Sequence, residues 1–408
     1  MKRRIAALFL LSLLVGCERM EALPVERYPA SPVGDGLERN LDTACIADYR
    51  EDVDYFPERS RFDWSTQLSV EYGRHFKRVS FRPSVDTGET LEILLVQCGT
   101  PVPAHDAATV VVEVPIRRLA TGNSAMLGAA DELGIVERLV GIENIRSPTV
   151  EAVRRRIAEG GIQELWGYAH ANIEPIMAVR PDVYLSFYSA YPQFNLHPQL
   201  QRVGIRALPQ ADHLEGHPLG RAEWLKLLAM LVNREAEANR RFAVIETEYL
   251  YWRDLAAQAQ RRPQIMAGFP SGRDSFEVFG ALNQRARLLA DAGGGYVLAG
   301  LREHGSLLQL GFEEVYLAGA EAPVWIGAQS GYSSLAQMLD STPRASWFAA
   351  TRAGQVYAFD RGYTGAWASP AHDNGMTRPH LALAEVVQVL HPELVHSSVP
   401  PTFLRRLP

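Results

Sequence analysis

The chain has 408 residues, 47% of them hydrophobic and 22% charged. This is the composition of a globular protein of two or three domains and excludes a disordered chain. A formal net charge of -6 leaves no basic footprint, which argues against nucleic acid as a main partner.

The chain opens with Lys2, Arg3 and Arg4, then an apolar run from Ile5 to Gly16, then Cys17. A charged start followed by so short an apolar run is the pattern of an export signal, not of a membrane-spanning helix. The ending Leu14-Val15-Gly16-Cys17 resembles the bacterial lipobox. The resemblance implies cleavage at residues 1–16, lipid on Cys17 and a chain held by acyl groups on a bacterial membrane, in the periplasmic space. Residues 17–44 are rich in Pro, Gly and charge, lack periodicity and read as a tether. With Cys17 set aside, Cys45 and Cys98 remain. One remaining pair in an exported chain suggests a disulfide, which closes a loop worth about 4 kcal/mol on the chain-entropy model. Two buried free thiols are the alternative.

Residues 45–107 are expected as an N-terminal β extension. Leu68–Tyr72, Phe76–Phe81 and Leu91–Val96 are short runs rich in β-branched and aromatic residues, separated by turns. Residues 108–218 then alternate between the two kinds of element. Strands are expected at Thr109–Val114, Glu164–Tyr168, Val183–Tyr188 and Gly204–Leu208, with helices at Ser124–Leu133, Thr149–Ala158, Ile173–Val179 and Asn195–Arg202. That order implies a parallel sheet with helices on both faces. Residues 219–261 hold no Pro, and from Arg221 to Arg261 no Gly either. Apolar residues there recur every three or four positions from Trp224 to Leu255. One wider gap has Glu235 where an apolar residue was due. The segment predicts one long helix of roughly 60 Å, or two helices end to end, bridging two lobes. Residues 262–396 resume the alternation, with strands at Gln264–Phe269, Pro323–Ile326 and Gln355–Phe359. Helices are expected at Arg285–Ala292, Phe312–Ala320, Ser333–Leu339 and His380–Leu390, and residues 397–408 read as a tail.

The run from Ala171 through Glu174 to Pro181-Asp182-Val183 resembles a segment of the substrate-binding proteins of ABC importers for iron–siderophore complexes and cobalamin. Further matches to that family follow in the same order. They are Met126–Gly141, Gly220 to Trp224, Leu288 to Gly294, and Arg378-Pro379-His380 with Leu390 to Leu394. The resemblance covers about residues 108–395. It implies an α/β fold of two Rossmann-like lobes joined by a rigid helix, with a ligand cleft between them and a small closing motion. It implies a monomer that captures a ferric siderophore or a corrinoid and hands it to an ABC permease and ATPase. Glu174 and Glu313 fall where family members dock to the permease, with Glu314 as the other candidate on the second lobe. The sequence departs from the family at Phe269-Pro270-Ser271-Gly272-Arg273, where a Gly-rich, Trp-containing loop is usual.

Ligand contacts are expected from loops at the carboxyl ends of the strands. In the first lobe these give Asn123, Trp166, Tyr168, Tyr188 and Tyr191; in the second, Phe269, Arg273, Tyr332, Tyr363 and Trp367. Aromatic faces suit a bulky, partly apolar chelate, and Arg273 suits an anionic one. His213 and His217 are four apart, but Gly216 and Pro218 disfavour a helical pair; His170, His372 and Asp373 are other metal candidates, and no spacing matches a metal site. The chain has no nucleophile elbow, phosphate loop or zinc motif, so no catalytic set is expected. The ligand remains open among hydroxamate, catecholate, haem and cobalamin classes. A surface lipoprotein that senses or scaffolds without transport is the alternative from another class.

Overall fold

The computed structural model describes residues 27–33, 36–83, 90–165, 173–189, 191–272, 274–300, 305, 307–328, 331–363, 365 and 369–408. Cys17, Trp166, Tyr168, His170, Arg273 and Trp367 lie outside the described residues.

The chain first pairs β1 (Ala30–Ser31) with β2 (Cys45–Ile46), so part of the expected tether is built into the fold. Cys45 and Cys98 are bridged, with Cα atoms 4.9 Å apart. A four-stranded sheet follows, ordered β3 (Leu68–Tyr72), β4 (Phe76–Phe81), β5 (Leu91–Gln97), β6 (Val110–Val114). The run expected to open the first lobe is therefore the edge of the extension's sheet, parallel to β5.

The first lobe contains β7 (Leu119–Thr121), α1 (Leu127–Glu132), β8 (Leu139–Ile142), α2 (Glu151–Ala158), β9 (Gln163–Glu164), α3 (Ile173–Ala178), β10 (Val183–Phe187), α4 (His197–Arg202) and β11 (Ala207–Gln210). Its five strands are all parallel, in the order β11-β10-β7-β8-β9. Two of the central strands, β7 and β8, have three and four residues, too few to show a periodic signal.

Three helices connect the lobes: α5 (Pro218–Ala222), α6 (Trp224–Val232) and α7 (Glu235–Ala256). The single-rod expectation gives way to helices end to end. Asn233 stops α6 in the left-handed conformation, φ 60° and ψ 37°, a role Asn tolerates at helix ends. At 22 residues α7 is about 33 Å long. Every residue of α6 is buried, most of them in the first lobe's core. Along α7, Ala238 belongs to that core, whereas Phe242, Ile245, Tyr249 and Ala256 belong to the second lobe's core. The helix passes from one core into the other.

The second lobe contains β12 (Gln264–Ala267), β13 (Phe269–Pro270), β14 (Ser275–Phe279), α8 (Gln284–Asp291), β15 (Gly295–Tyr296), β16 (Leu307–Gly311), α9 (Phe312–Gly319), β17 (Val324–Ile326), α10 (Leu335–Ser341), α11 (Ala349–Arg352), β18 (Val356–Ala358), α12 (Pro370–Asp373), α13 (Pro379–Leu390) and β19 (Arg405–Arg406). Its main sheet runs β15-β12-β17-β18-β19, parallel except for β19. The expected tail supplies that last strand, and Phe403, Leu404 and Leu407 are buried, because their side chains complete the lobe's core. A separate antiparallel sheet, β13-β14-β16, was not expected.

The extension grips the helix break. On β4, Lys77, Val79 and Phe81 share the buried face. Fully buried Lys77 ion-pairs with fully buried Glu235, the acidic residue standing at an apolar position. Its ammonium also donates to Asn233 Oδ1 at 2.7 Å and the Met230 carbonyl at 2.8 Å, and lies 4.4 Å from the Phe56 ring centre. Asn40 donates to Glu235 at 2.9 Å, and Asn233 donates to the Leu41 carbonyl and to Gln97. Lower down, Glu223 accepts from the backbone of Asp63, Trp64 and Ser65.

Candidate ligand-binding cleft

The carboxyl ends of β7, β10 and β11 point towards α5, α8 and α12, where the two lobes meet. Fully buried Asp212, just past β11, accepts from Arg221 Nε at 2.9 Å and Gln210 Nε2 at 3.0 Å. Burial opposes its charge, but Arg221, His213 and those hydrogen bonds outweigh burial, so its carboxyl titrates below the usual range. Asp212 therefore anchors Arg221 and is spent on it.

Arg285, on the first turn of α8, is different. Its guanidinium lies 5.2 Å from the Phe359 ring centre and 5.9 Å from that of Phe279. Among the described residues it finds no carboxylate and no hydrogen-bond acceptor. Burial, then repulsion from Arg221, pushes it down to about 10, so it is still charged at neutral pH. A cation resting on aromatic faces without a counter-ion is a place for an anion.

Two histidines flank this pair. His213 stacks on Phe187, ring centres 4.7 Å apart and planes at 11°. Burial, with the charges of Arg221 and His372, holds it down to about 4, so it is neutral at pH 7. His372 of α12 is also lowered, by burial first and then by Arg221. Both imidazoles can offer a lone pair. Among the described residues no three His, Cys, Asp or Glu side chains gather as a metal site. Beside Arg221 and Arg285 a cavity of about 40 Å³ runs down to Ile326 and Phe403. That is room for ordered water but an order of magnitude below the roughly 300–1,000 Å³ of a small-molecule pocket.

The lobes touch along one seam. Asp373 of α12 accepts from the Thr149 backbone at 2.5 Å and its hydroxyl at 2.9 Å. Glu132 of α1 accepts from Thr377 and from Arg378 Nε, each at 3.0 Å. Gly128 lies between: a Cβ there would stand 2.6 Å from Asn374 Oδ1 and 2.8 Å from the Asp373 carbonyl. Only glycine permits that approach.

The expected ligand residues are divided. Tyr188 is fully buried, edge-on to Phe81 of the extension, with ring centres 5.4 Å apart, and has no face towards a ligand. Asn123 is buried and caps the short helix after β7, accepting from Ala125 N at 2.7 Å. Tyr191 is 65% exposed beside Phe194. Half-buried Phe269 belongs to the antiparallel sheet. Tyr332 and Tyr363 are half-buried, and the Tyr363 ring packs on Gly331, where a Cβ would stand 3.0 Å from it. Arg221, Arg285, Phe279 and Phe359 were not among the expected contacts; the free cation at a helix start, facing Phe359 from a distant loop, has no local sequence signal.

Glu174 stands exposed in the first turn of α3. On α9, Glu313 is already bound by Arg344 at 2.9 Å, and Arg344 also pairs with Asp274 and covers the Phe312 ring. Glu314 is exposed and has no ion-pair partner among the described residues.

Two parallel-sheet lobes bridged by helices, meeting at a cationic and aromatic seam, define a two-lobed solute-binding protein. The chain belongs to the periplasmic binding protein family, whose model matches residues 119–362. It is 24% identical over 243 residues to an uncharacterized lipoprotein of Methanocaldococcus jannaschii; the match takes in 59% of this chain and 55% of the relative, so the chain spans about half the length of that curated relative. Its fold is similar to the apo periplasmic haem-binding protein RhuT of Roseiflexus, with TM-score 0.53, 18% identity, 68% of this chain and 99% of that one. It is also similar to CeuE of Helicobacter pylori in a complex with nickel and histidine, with TM-score 0.55, 14% identity, 78% of this chain and 89% of that one. The family match begins at β7, so the extension that grips the helix break lies outside it.

Proposed function

We propose that the protein is an exported, lipid-anchored receptor that captures an anionic iron chelate of the siderophore type between its lobes and delivers it to an ABC permease and ATPase. The observation that carries this is Arg285, charged, resting on Phe279 and Phe359, and without an anion of its own among the described residues. A ferric catecholate or carboxylate supplies that charge and has flat faces for the aromatics. Membership of the periplasmic binding protein family supports binding rather than catalysis. Docking is assigned to Glu174 on the first lobe and, because Arg344 occupies Glu313, to Glu314 on the second. Entry of the chelate requires the Asp373–Thr149 and Arg378–Glu132 bonds to part.

Haem is the second reading. Its propionates also suit Arg285, and neutral His213 offers a nitrogen to iron. A corrinoid carries less negative charge and uses Arg285 less well. Titration with a ferric tris-catecholate, ferrichrome, haemin and cyanocobalamin, read by tryptophan quenching, separates these classes. The anionic ligands are expected to bind more tightly than neutral ferrichrome, and Arg285→Gln to weaken them by at least about tenfold, since truncating one side of a buried charge pair costs several kcal/mol. Equal binding by wild type and R285Q, or no binding to any of the four, refutes the assignment.

A further inference from the structure

The edge of the first lobe's sheet opposite the cleft is strongly cationic. Leu119 of β7 pairs with Val183 of β10, and Tyr184 pairs with Ala207 of β11. The residues entering these strands therefore lie in a row, and they include Arg117, Arg118, Arg180 and Arg206. Arg118 ties the entry of β7 to that of β10 by donating to the Arg180 carbonyl at 3.0 Å and the Val179 carbonyl at 2.7 Å, and Arg206 donates to the Val111 carbonyl of β6 at 3.0 Å. Arg202, at the end of α4, is exposed four residues before Arg206. Glu137, entering β8, is paired by Arg156, and two more carboxylates lie beside β7 and β10. Buried Asp182 accepts from the Arg117 and Arg118 backbones, and Glu113 is paired by Arg27. Neither reaches Arg180 or Arg202, which are exposed and have no partner among the described residues.

The same edge is where the described chain begins. Arg117 donates to the Arg27 carbonyl at 2.9 Å and lies 5.1 Å from the Tyr28 ring centre. From Arg27 back to Cys17 is ten residues, which reach at most about 35 Å when fully extended. A lipid on Cys17 thus keeps this edge, and not the cleft, next to the bilayer.

We propose that this arginine edge is a landing surface for the anionic headgroups of the membrane that holds the lipid. The inference rests on the lipid-anchor reading of Cys17. The acyl chains fix the distance and the arginines fix the orientation, with the cleft and Glu174, at the opposite ends of the strands, turned away from the anchoring bilayer. Anionic lipid is the occupant the chemistry fits: a row of dispersed arginines along a sheet edge matches a plane of phosphates rather than one small anion.

The test uses the lipidated protein reconstituted into phosphatidylcholine vesicles with and without phosphatidylglycerol. Hydrogen exchange is read over residues 112–122, 176–186 and 200–210. The expected result is slower exchange in those three segments on phosphatidylglycerol, reversed by high salt and by R180E/R202E. At about fivefold per arginine, the double change shifts the landed-to-free ratio at least about 25-fold. R180Q/R202Q, which should show a smaller loss with chelate binding kept, separates a charge effect from misfolding. Equal exchange on both vesicles, or protection that survives charge reversal, overturns the proposal. The mass of the N-terminal peptide tests acylation of Cys17 separately. If it carries no lipid the anchor reading falls, and sedimentation of the same protein with phosphatidylglycerol vesicles still decides whether the edge binds.

Discussion

Removing Lys77 perturbs the fold at one defined place. In Lys77→Met the stem is conserved and the ammonium is gone. Glu235 then stays fully buried with only neutral donors such as Asn40 beside it, and Asn233 Oδ1 and the Met230 carbonyl lose theirs. Breaking a buried pair by deleting one partner costs about 3–5 kcal/mol. Two orphaned acceptors add about 1–3 kcal/mol each when water does not reach them. The loss expected in urea unfolding is therefore at least about 4 kcal/mol, a large share of a typical domain's stability. Since the extension and first lobe share one core, the loss falls on a transition common to both. The companion variant K77M/E235L removes both charges and should recover most of the loss, because replacing a buried pair by apolar residues is often neutral. A K77M loss below about 1 kcal/mol, or a double variant no better than the single one, would refute the view that this pair clamps the helix break.

Other outcomes follow from the same geometry. His217 Nδ1 accepts from Leu219 N at 3.0 Å, capping α5, and burial pushes its pKa down to about 4. The unfolded chain protonates this group near 6.5 and the folded one only near 4, so its contribution is lost as pH falls through that window. Relative to His217→Asn, which keeps a cap, wild type should lose on the order of 2–3 kcal/mol between pH 6.5 and 4; a constant difference counts against the reading. Replacing Cys45 and Cys98 by Ser opens a loop of sequence separation 53; a loss of about 4 kcal/mol is expected in denaturant titration, and none if the bridge is dispensable. In cells, Glu174→Arg with Glu314→Arg should abolish chelate uptake while the purified protein still binds chelate, and Glu313→Arg should act less strongly. Uptake that survives the first pair removes the docking assignment.

Periodicity exposed the long elements: β3 to β5, the helices of both lobes and the connection between them lie within a few residues of expectation. It missed β7 and β8 because strands of three and four residues carry no alternation, although they form the middle of the first sheet. It missed β19 because a two-residue strand near the chain end depends on the sheet it joins. Order along the chain made Tyr188 look like a cleft residue; the extension packing over it is a tertiary event that no local window contains. Arg285 is the opposite case. Nothing in its own segment marks it, and its meaning comes from Phe359, over 70 residues away in sequence, and from the absence of a carboxylate among the described residues.

Glu235 was the clue that sequence did give. A charge in the apolar phase of a helix must be paired, or the helix must stop. Here both occur: α6 ends at Val232, three residues before it, and Lys77 comes from a strand over 150 residues away to meet it. The stiffness of the connection is therefore not that of one continuous helix. A break at a left-handed Asn is normally a hinge, since few hydrogen bonds hold it. Asn233 is held on three sides, by Lys77 and Gln97 from the extension and by the Leu41 carbonyl from the segment just before it. The extension converts a joint into a fixed bend. Motion between the lobes must then come from α7 sliding in the second core, or from the seam at Asp373 and Arg378, where hydrogen bonds and one ion pair join the lobes. A seam of that kind parts at modest cost, whereas the helix break, with its buried charges, does not. The clamp therefore directs opening to the seam beside Arg285, the entry that the proposed function requires.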